Sequence, residues 1–252
     1  TTDKSKSKTT RLLLEDFREF VEYFRPGYVF VENVPGLNTN KDSPIDNFKK
    51  SIQRNGYVFE DGVLNAKDYG VPQSRRRFVL VATRIKSKIS LPKTEKTEMR
   101  TVRDAIGNEN IFPKISAGNK DLSSFQHTSA NLSKVNLERI KATDHDGGDR
   151  RNWPEGMQPK CYDRHKGHYD VYGRMFWDKP SPTITTRFNS YSNGRYGHPI
   201  QNRAISLREG AILQSFPIDY KFHSNSQVMI AKMIGNAVPP LLAKRIGQVF
   251  VS

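Results

Sequence analysis

Residues 25–37, RPGYVFVENVPGL, run Tyr28 to Val31 straight into Glu32 and Asn33, with Pro-Gly signals on both sides. A short apolar run rich in aromatic and β-branched residues and bounded by Pro and Gly reads as a buried strand. The carboxylate at its end needs a reason. In open α/β sheets ligands bind beyond the carboxyl ends of strands, so Glu32 is a site residue or else a cap for the structure that follows. Position alone leaves both readings open.

Working outward, LLLEDFREFVEYF (12–24) places Leu13, Phe17, Phe20, Val21 and Phe24 at helical spacing, with Glu15, Asp16, Arg18, Glu19 and Glu22 mostly off that face. Pro26-Gly27 ends this helix. Downstream, FKKSIQRNGY (48–57) predicts a second helix, stopped by Asn55-Gly56. YVFEDGVLNAKDYG (57–70) predicts strand, turn and strand, and RFVLVATR (77–84) another buried strand. Helices alternating with strands indicate an α/β layer, here with mixed strand directions.

After Arg84 the pattern breaks. Residues 84–103 hold seven Lys or Arg, two Glu and one Pro. From about 104 to 176 no period is sustained, and Arg150, Arg151, Lys160, Arg164, Lys166 and Arg174 alternate with Trp153, Tyr162, Tyr169, Tyr172, Phe176 and Trp177. This predicts a separate, irregular, β-rich domain with some of these aromatics as its core. Order returns at ISLREGAILQSFP (205–217), where Ser206 and Glu209 have capping-box spacing. That accounts for Glu209 without a catalytic role. In MIGNAVPPLLAKRIGQVF (233–250), Gly235-Asn236 reads as a turn. Pro239-Pro240 then opens a closing helix with Leu241, Leu242, Ile246 and Val249 as its apolar positions. The expected division is 1–85 for part of the α/β domain, 86–200 for the irregular domain, and 201–252 for a return segment and closing helix packing on the first.

The 252 residues, 35% hydrophobic and 10% aromatic, suffice for a packed core. Lys and Arg number 41 against 26 Asp and Glu, a net charge of +15. Such an excess favours a polyanionic partner, nucleic acid first. No apolar run is long enough to span a bilayer, and the polar, basic TTDKSKSKTTR at 1–11 is unlike a secretory signal. A single cysteine, Cys161, rules out an intrachain disulfide and fits a reducing compartment. Asp144, His145 and Asp146 in TDHDGGD read as a polar turn, and one Cys with scattered His gives no zinc spacing.

Three stretches in order resemble the later motifs of the DNA cytosine-5 methyltransferases. They are RPGYVFVENVPGL (25–37), LNAKDYGVPQSRRRFVLVATR (64–84), and NRAISLREGAILQSFP (202–217) with IGNAVPPLLAKRIG (234–247). KPSPTITTRF (179–188) is similar to the end of that family's target-recognition domain. The resemblance implies an α/β fold: the C-terminal part of a Rossmann-like, S-adenosylmethionine-dependent methyltransferase domain, plus a smaller recognition domain that reads duplex DNA. By resemblance Glu32, with Asn33 beside it, faces a flipped-out cytosine and bonds N3 and the exocyclic amine. Cytosine C5 is a poor nucleophile, so the family first adds a thiolate to C6. Electron density then moves toward N3, where an acid stabilises it.

Gln73, Arg75 and Arg77 fall at alternating positions, one face of a strand. On spacing they are a polar site or a solvated basic edge. By resemblance Arg77 reaches the cytosine O2 side. Arg75 binds the flipped nucleotide's phosphate or orders the catalytic loop, and Gln73 contacts the nucleic acid. Thr183 would touch the DNA backbone, with Ile184 a mild departure from the family's Thr-Leu pair. Asn236, Ala237 and Val238 match the motif that completes the S-adenosylmethionine pocket, although the same residues suit a plain helix start.

The family also has a Gly-rich cofactor loop and a Pro-Cys nucleophile upstream of Glu-Asn-Val. Neither occurs here, and Cys161 follows Lys160 on the wrong side of the motif. The expectation is therefore the C-terminal part of a bacterial, cytoplasmic restriction–modification methyltransferase, inactive alone. The missing N-terminal half would be its partner, on the same or a separate polypeptide. TTDKSKSKTTR would be the mobile tail of the catalytic loop. The alternative is a non-catalytic DNA-binding specificity subunit that completes a partner's active site.

Overall fold

The computed structural model describes the chain except residues 1–3, 39–42, 95–97, 160–161, 163–167 and 252, with side chains described from residue 13 onward. The reading of Cys161 lies outside the described residues. The chain forms two compact units. One comprises Thr1–Asn65, Arg76–Glu95 and Ala243–Ser252; the other comprises Ala66–Arg75 and Lys96–Leu242. The second unit thus takes in residues 201–242, and only the end of the closing segment joins the first.

The first unit is a three-stranded sheet with helices. Strands β1 (Tyr28–Asn33), β2 (Val58–Asn65) and β3 (Arg76–Thr83) lie in the order β1-β3-β2, with antiparallel neighbours. Val29, Val31, Phe78, Leu80 and Ala82 pack against α1 (Lys4–Phe24) and α2 (Pro44–Arg54) through Leu14, Val21, Ile45, Phe48 and Ile52. Each such side chain taken fully from water stabilises the fold by roughly 1.5–3 kcal/mol. Helix α2 ends at Asn55-Gly56 as its sequence predicts, but it opens earlier than the predicted stretch, with Pro44 at its first turn. On the other face of the sheet Tyr28 meets Phe250 at 5.2 Å, near the end of α7 (Pro240–Val251).

Two expectations change here. Asp61-Gly62 is not a turn: β2 runs unbroken, with Gly62 opposite Val79. A Cβ at Gly62 would stand 3.0 Å from Leu91 Cδ1, so glycine serves close packing. Helix α1 begins at Lys4, so residues 4–11 are helical rather than a tail. Among its described side chains Leu14 and Val21 are buried, with Phe17 stacked on Phe48, whereas Leu13, Phe20 and Phe24 are 60–65% exposed. The helix carries two overlapping apolar stripes, and only one faces α2 and the sheet.

The second unit has little regular structure. Its helices are α3 (Val102–Ile106), α4 (Lys134–Lys141), α5 (Leu207–Leu213) and α6 (Gln227–Asn236), with α7 starting at its end. Among the described residues it contains isolated β-bridges and no strand, so the expected β-rich domain is not β-rich. Met175, Ile184, Phe188, Ile205, Leu213 and Ile234 lie in its core. Buried arginines do what ladders would do elsewhere. Arg174, fully buried, donates to the carbonyls of Ile140, Thr143, His198 and Gln201 and to Asn202 Oδ1. Burial lowers its pKa to about 10, so it stays charged at neutral pH. Arg208 holds the carbonyls of Ser124, Phe125 and Tyr220. The planar guanidinium, with its five donors, suits this caging of carbonyls.

The capping box at α5 forms as its spacing predicts. Ser206 Oγ accepts from Glu209 N at 3.1 Å, and a Glu209 oxygen accepts from Ser206 N at 2.6 Å. Glu209 does more than cap: Arg203 donates to both its oxygens at 2.7 Å, with both side chains fully buried. Asp144 and Asp146 take part in turn contacts, accepting from Asn152 Nδ2 and Trp177 N. Among the described residues no group of three His, Cys, Asp or Glu is placed to hold a metal ion, and no helix is long and apolar enough to cross a membrane.

Candidate active site

In the first unit, the β1–β3 register sets Glu32 opposite Val79 and Asn33 opposite Phe78. Arg77 is then Glu32's diagonal neighbour on the same face of the sheet, within reach of a long side chain. The two form an ion pair, Arg77 Nε to Glu32 Oε1 at 2.9 Å, with side chains 15% and 20% accessible. Arg77 Nη1 also donates to Arg76 O at 2.8 Å. Among the described residues this pair is the one polar contact of Glu32, which leaves Oε2 open to a ligand. Asn33 Oδ1 accepts from Val34 N at 2.7 Å and so starts the turn at Pro35–Asn38. The carboxylate is thus held at a strand end, oriented from one side and reachable from the other.

In the second unit, Gln73 and Arg75 precede β3 rather than lying in it. The strand begins at Arg76, so Gln73, Arg75 and Arg77 do not share one strand face. Alternation was the only signal, and the chain leaves extended pairing at a bridge between Gln73 and Ser181. Gln73 is fully buried. Its Oε1 accepts from Ile184 N at 2.9 Å, and its Nε2 donates to Leu213 O and Gln214 Oε1. Arg75, 2% exposed, donates to Ile184 O at 2.9 Å, Gly235 O at 3.0 Å and Ala237 O at 3.3 Å. Both side chains bind backbone. Thr183 Oγ1 donates to Ser74 O at 2.9 Å, and Thr183 O accepts from Tyr196 Oη at 2.8 Å.

Asn236 is the last residue of α6 and exposed, not part of a turn. The preceding glycine has a packing reason: a Cβ at Gly235 would lie 2.4 Å from Thr185 C and O. Ala237 and Val238, half-buried, border an open depression of about 480 Å³ with Phe216, Tyr220, Phe222, Met233 and Pro240. Sequence reasoning missed Gln214. It is fully buried at the end of α5, and its Nε2 donates to Ile234 O and Ala237 O at 2.9 Å each. Its one sequence signal is an amide in an otherwise apolar stretch.

The model of the C-5 cytosine-specific DNA methylases matches residues 2–252. The type II methylase M.HgiDII of Herpetosiphon aurantiacus is 40% identical over 98% of this chain and 71% of its own length. The type II methyltransferases M1.HphI of Haemophilus parahaemolyticus and M1.BsuMI of Bacillus subtilis are 37% and 34% identical; the chain spans 59% and 52% of their lengths. Among solved structures, a candidate DNA modification methyltransferase of prophage origin from E. coli has a TM-score of 0.71. It is 19% identical, over 97% of this chain and 75% of that one, which shows a shared fold. The chain belongs to the C-5 cytosine-specific DNA methylases, a family whose methyl donor is S-adenosylmethionine.

Proposed function

We propose that the protein carrying this chain methylates C5 of a flipped-out cytosine in a specific duplex DNA sequence, as the modification partner of a restriction enzyme. The observation that carries this reading is the Glu32–Arg77 pair at the end of β1. In the proposed mechanism Glu32 presents its free oxygen to N3 and the exocyclic amine of the base, and Arg77 holds the carboxylate and faces O2. As a thiolate adds at C6, negative charge grows toward N3, where a proton taken up by Glu32 as the base binds is shared with or passed to N3, leaving the carboxylate paired with Arg77. Asn33 fixes the turn that shapes this end of the strand. S-adenosylmethionine supplies the electrophilic methyl group when bound. The depression beside Ala237 and Val238, lined by Phe216, Tyr220 and Phe222, offers aromatic surface that fits a purine ring. With Asn236, those two residues would hold that part of the cofactor.

The thiolate is proposed to come from outside these residues, since the chain's one cysteine is Cys161 and it follows Lys160. Two features support a docking segment that brings it. Strand β1 is at the edge of its sheet, and Leu13, Phe20 and Phe24 of α1 are exposed. The second unit, with its surplus of Lys and Arg, is proposed as the recognition domain, where Thr183 and the exposed Arg187 lie on the segment that meets the DNA backbone.

The test is Glu32→Gln in the complete enzyme. Methyl transfer should fall on the order of 10²–10⁴-fold while DNA affinity survives. Unchanged turnover would remove Glu32 from the chemistry. Adding the N-terminal half to this chain should restore methylation; retained DNA affinity without any rescue would instead favour a specificity subunit.

A further inference from the structure

Three buried side chains form one cluster. Gln214, Gln73 and Arg75 are each 2% exposed or less. Their partners fall into two groups. One is the backbone at residue 184, held by Gln73 Oε1 on Ile184 N and by Arg75 Nη1 on Ile184 O. The other is the backbone at 234–237, held by Gln214 Nε2 on Ile234 O and Ala237 O and by Arg75 Nη2 on Gly235 O and Ala237 O. Arg75 spans both groups directly, and a second link is Gln73 Nε2 donating to Gln214 Oε1. In addition, Gly235 lies so close to Thr185 that a Cβ would meet its carbonyl at 2.4 Å.

The amide of Gln214 is used on both ends. Its oxygen accepts from Gln73 while its nitrogen donates to two carbonyls. No carboxylate, aliphatic or hydroxyl side chain of this length supplies both roles. A buried amide with every partner in place has one orientation, so a shift at one backbone group must break a bond or move the other group with it.

We propose that Gln214 is a positioning residue that couples the DNA-facing segment at 181–184 to the cofactor-facing turn at 234–238. This rests on the function proposed above, which assigns those two segments to DNA and cofactor. Through Gln73 and Arg75 the two segments move as one piece, so ordering either by a ligand lowers the cost of ordering the other. Coupling of this kind is reciprocal. Gln73 and Arg75 thus act through backbone rather than on nucleotide.

The experiment uses the complete enzyme with S-adenosylhomocysteine and a cognate duplex as probes, so that no turnover occurs. In the wild type the duplex should tighten S-adenosylhomocysteine binding on the order of 5-fold or more. In Gln214→Met, where only the Arg75 bridge remains, the tightening should fall by about 2-fold or more, with the affinity for each ligand alone nearly kept. A purely structural role would lower the melting temperature and leave the tightening intact, and that result overturns the proposal. If Gln214→Met does not fold, hydrogen exchange on the wild type decides. S-adenosylhomocysteine alone should slow exchange of the Ile184 amide, whose acceptor is Gln73, and unchanged exchange there overturns the proposal. A wild type that binds neither probe defeats the parent reading instead, which separates the two failures.

Discussion

Replacing Glu209 by Gln tests what holds the second unit together. The substitution keeps the volume and removes the charge. Arg203 donates to both Glu209 oxygens at 2.7 Å, and Ser206 N donates to one of them at 2.6 Å. A Gln can keep the oxygen that serves Ser206, but its NH₂ then points at an Arg203 donor. The guanidinium is fully buried, so its charge is left without a counterion. Breaking a buried pair by removing one partner costs about 3–5 kcal/mol, about a fifth or more of a domain's usual stability of about 5–15 kcal/mol. With a urea m-value of about 2 kcal/mol per molar, the midpoint should fall by about 1.5–2.5 M. The chain has two tryptophans, and both Trp153 and Trp177 lie in the second unit. Trp177 packs edge-on against His198 at 5.4 Å, and His198 stands 3.8 Å from Glu209. Tryptophan fluorescence therefore reports the relevant unfolding. Adding Arg203→Met should recover most of the loss, since apolar replacement of a whole buried pair is often neutral or better. A midpoint shift under about 0.5 M, or a double variant no better than the single one, would refute the reasoning.

Acid should weaken the same unit. Burial holds His198 at a pKa of about 3, far below the ordinary imidazole value of 6.5. Between these values the unfolded chain binds more protons, so stability is complete above about pH 6.5 and falls as pH drops toward 3. Burial alone would raise Glu209, but Arg203 brings it down to about 2, which adds a loss in the same direction below about pH 4.5. A fluorescence-monitored melting temperature that stays flat from pH 7 to about 4 would contradict this. Gly235→Ala, whose Cβ would meet Thr185 and Thr186 backbone at 2.4–2.5 Å, should cost at least about 1–3 kcal/mol in urea titration. Gly247→Ala, with nothing within 4 Å, should be neutral or stabilise its helix by up to about 1 kcal/mol. DNA binding by the complete protein should weaken with salt at a log–log slope of about −0.9 per phosphate contacted. A flat response in a filter or anisotropy assay would mean that the +15 charge is not the DNA footprint.

The parts legible in the sequence are those set by neighbours in the chain. β1, α2 and β3 follow from apolar runs with Pro, Gly and Asn at their ends, and the capping box at Ser206–Glu209 is a four-residue pattern. The pairing of Glu32 with Arg77 depends on a strand register that no local pattern fixes. Which stripe of α1 is buried was illegible for the same reason: Leu14, Phe17 and Val21 are selected by where Phe48 stands, not by their own spacing. The reading of residues 104–176 as β-rich rested on aromatic and Gly content. Several of those aromatics instead pack on guanidinium groups, Trp153 and Tyr172 on Arg139 and Tyr162 and Tyr169 on Arg150, and the buried Arg174 and Arg208 find acceptors far away in sequence. Gln73 and Arg75 were read as strand residues because alternation cannot reveal that the strand begins one residue later.

The partners of Arg75 also set an order of events during synthesis. Its acceptors at Ile184, Gly235 and Ala237 come 109, 160 and 162 residues after it. At translation rates of about 5–20 residues per second, Arg75 leaves the ribosome roughly 8–30 s before the last of them. Until then a cation meant for the interior stays in water, and residues 66–75 cannot take their final place. A ribosome that stalls between residues 184 and 235 would release a chain whose Arg75 has its acceptor at Ile184 but lacks those at Gly235 and Ala237.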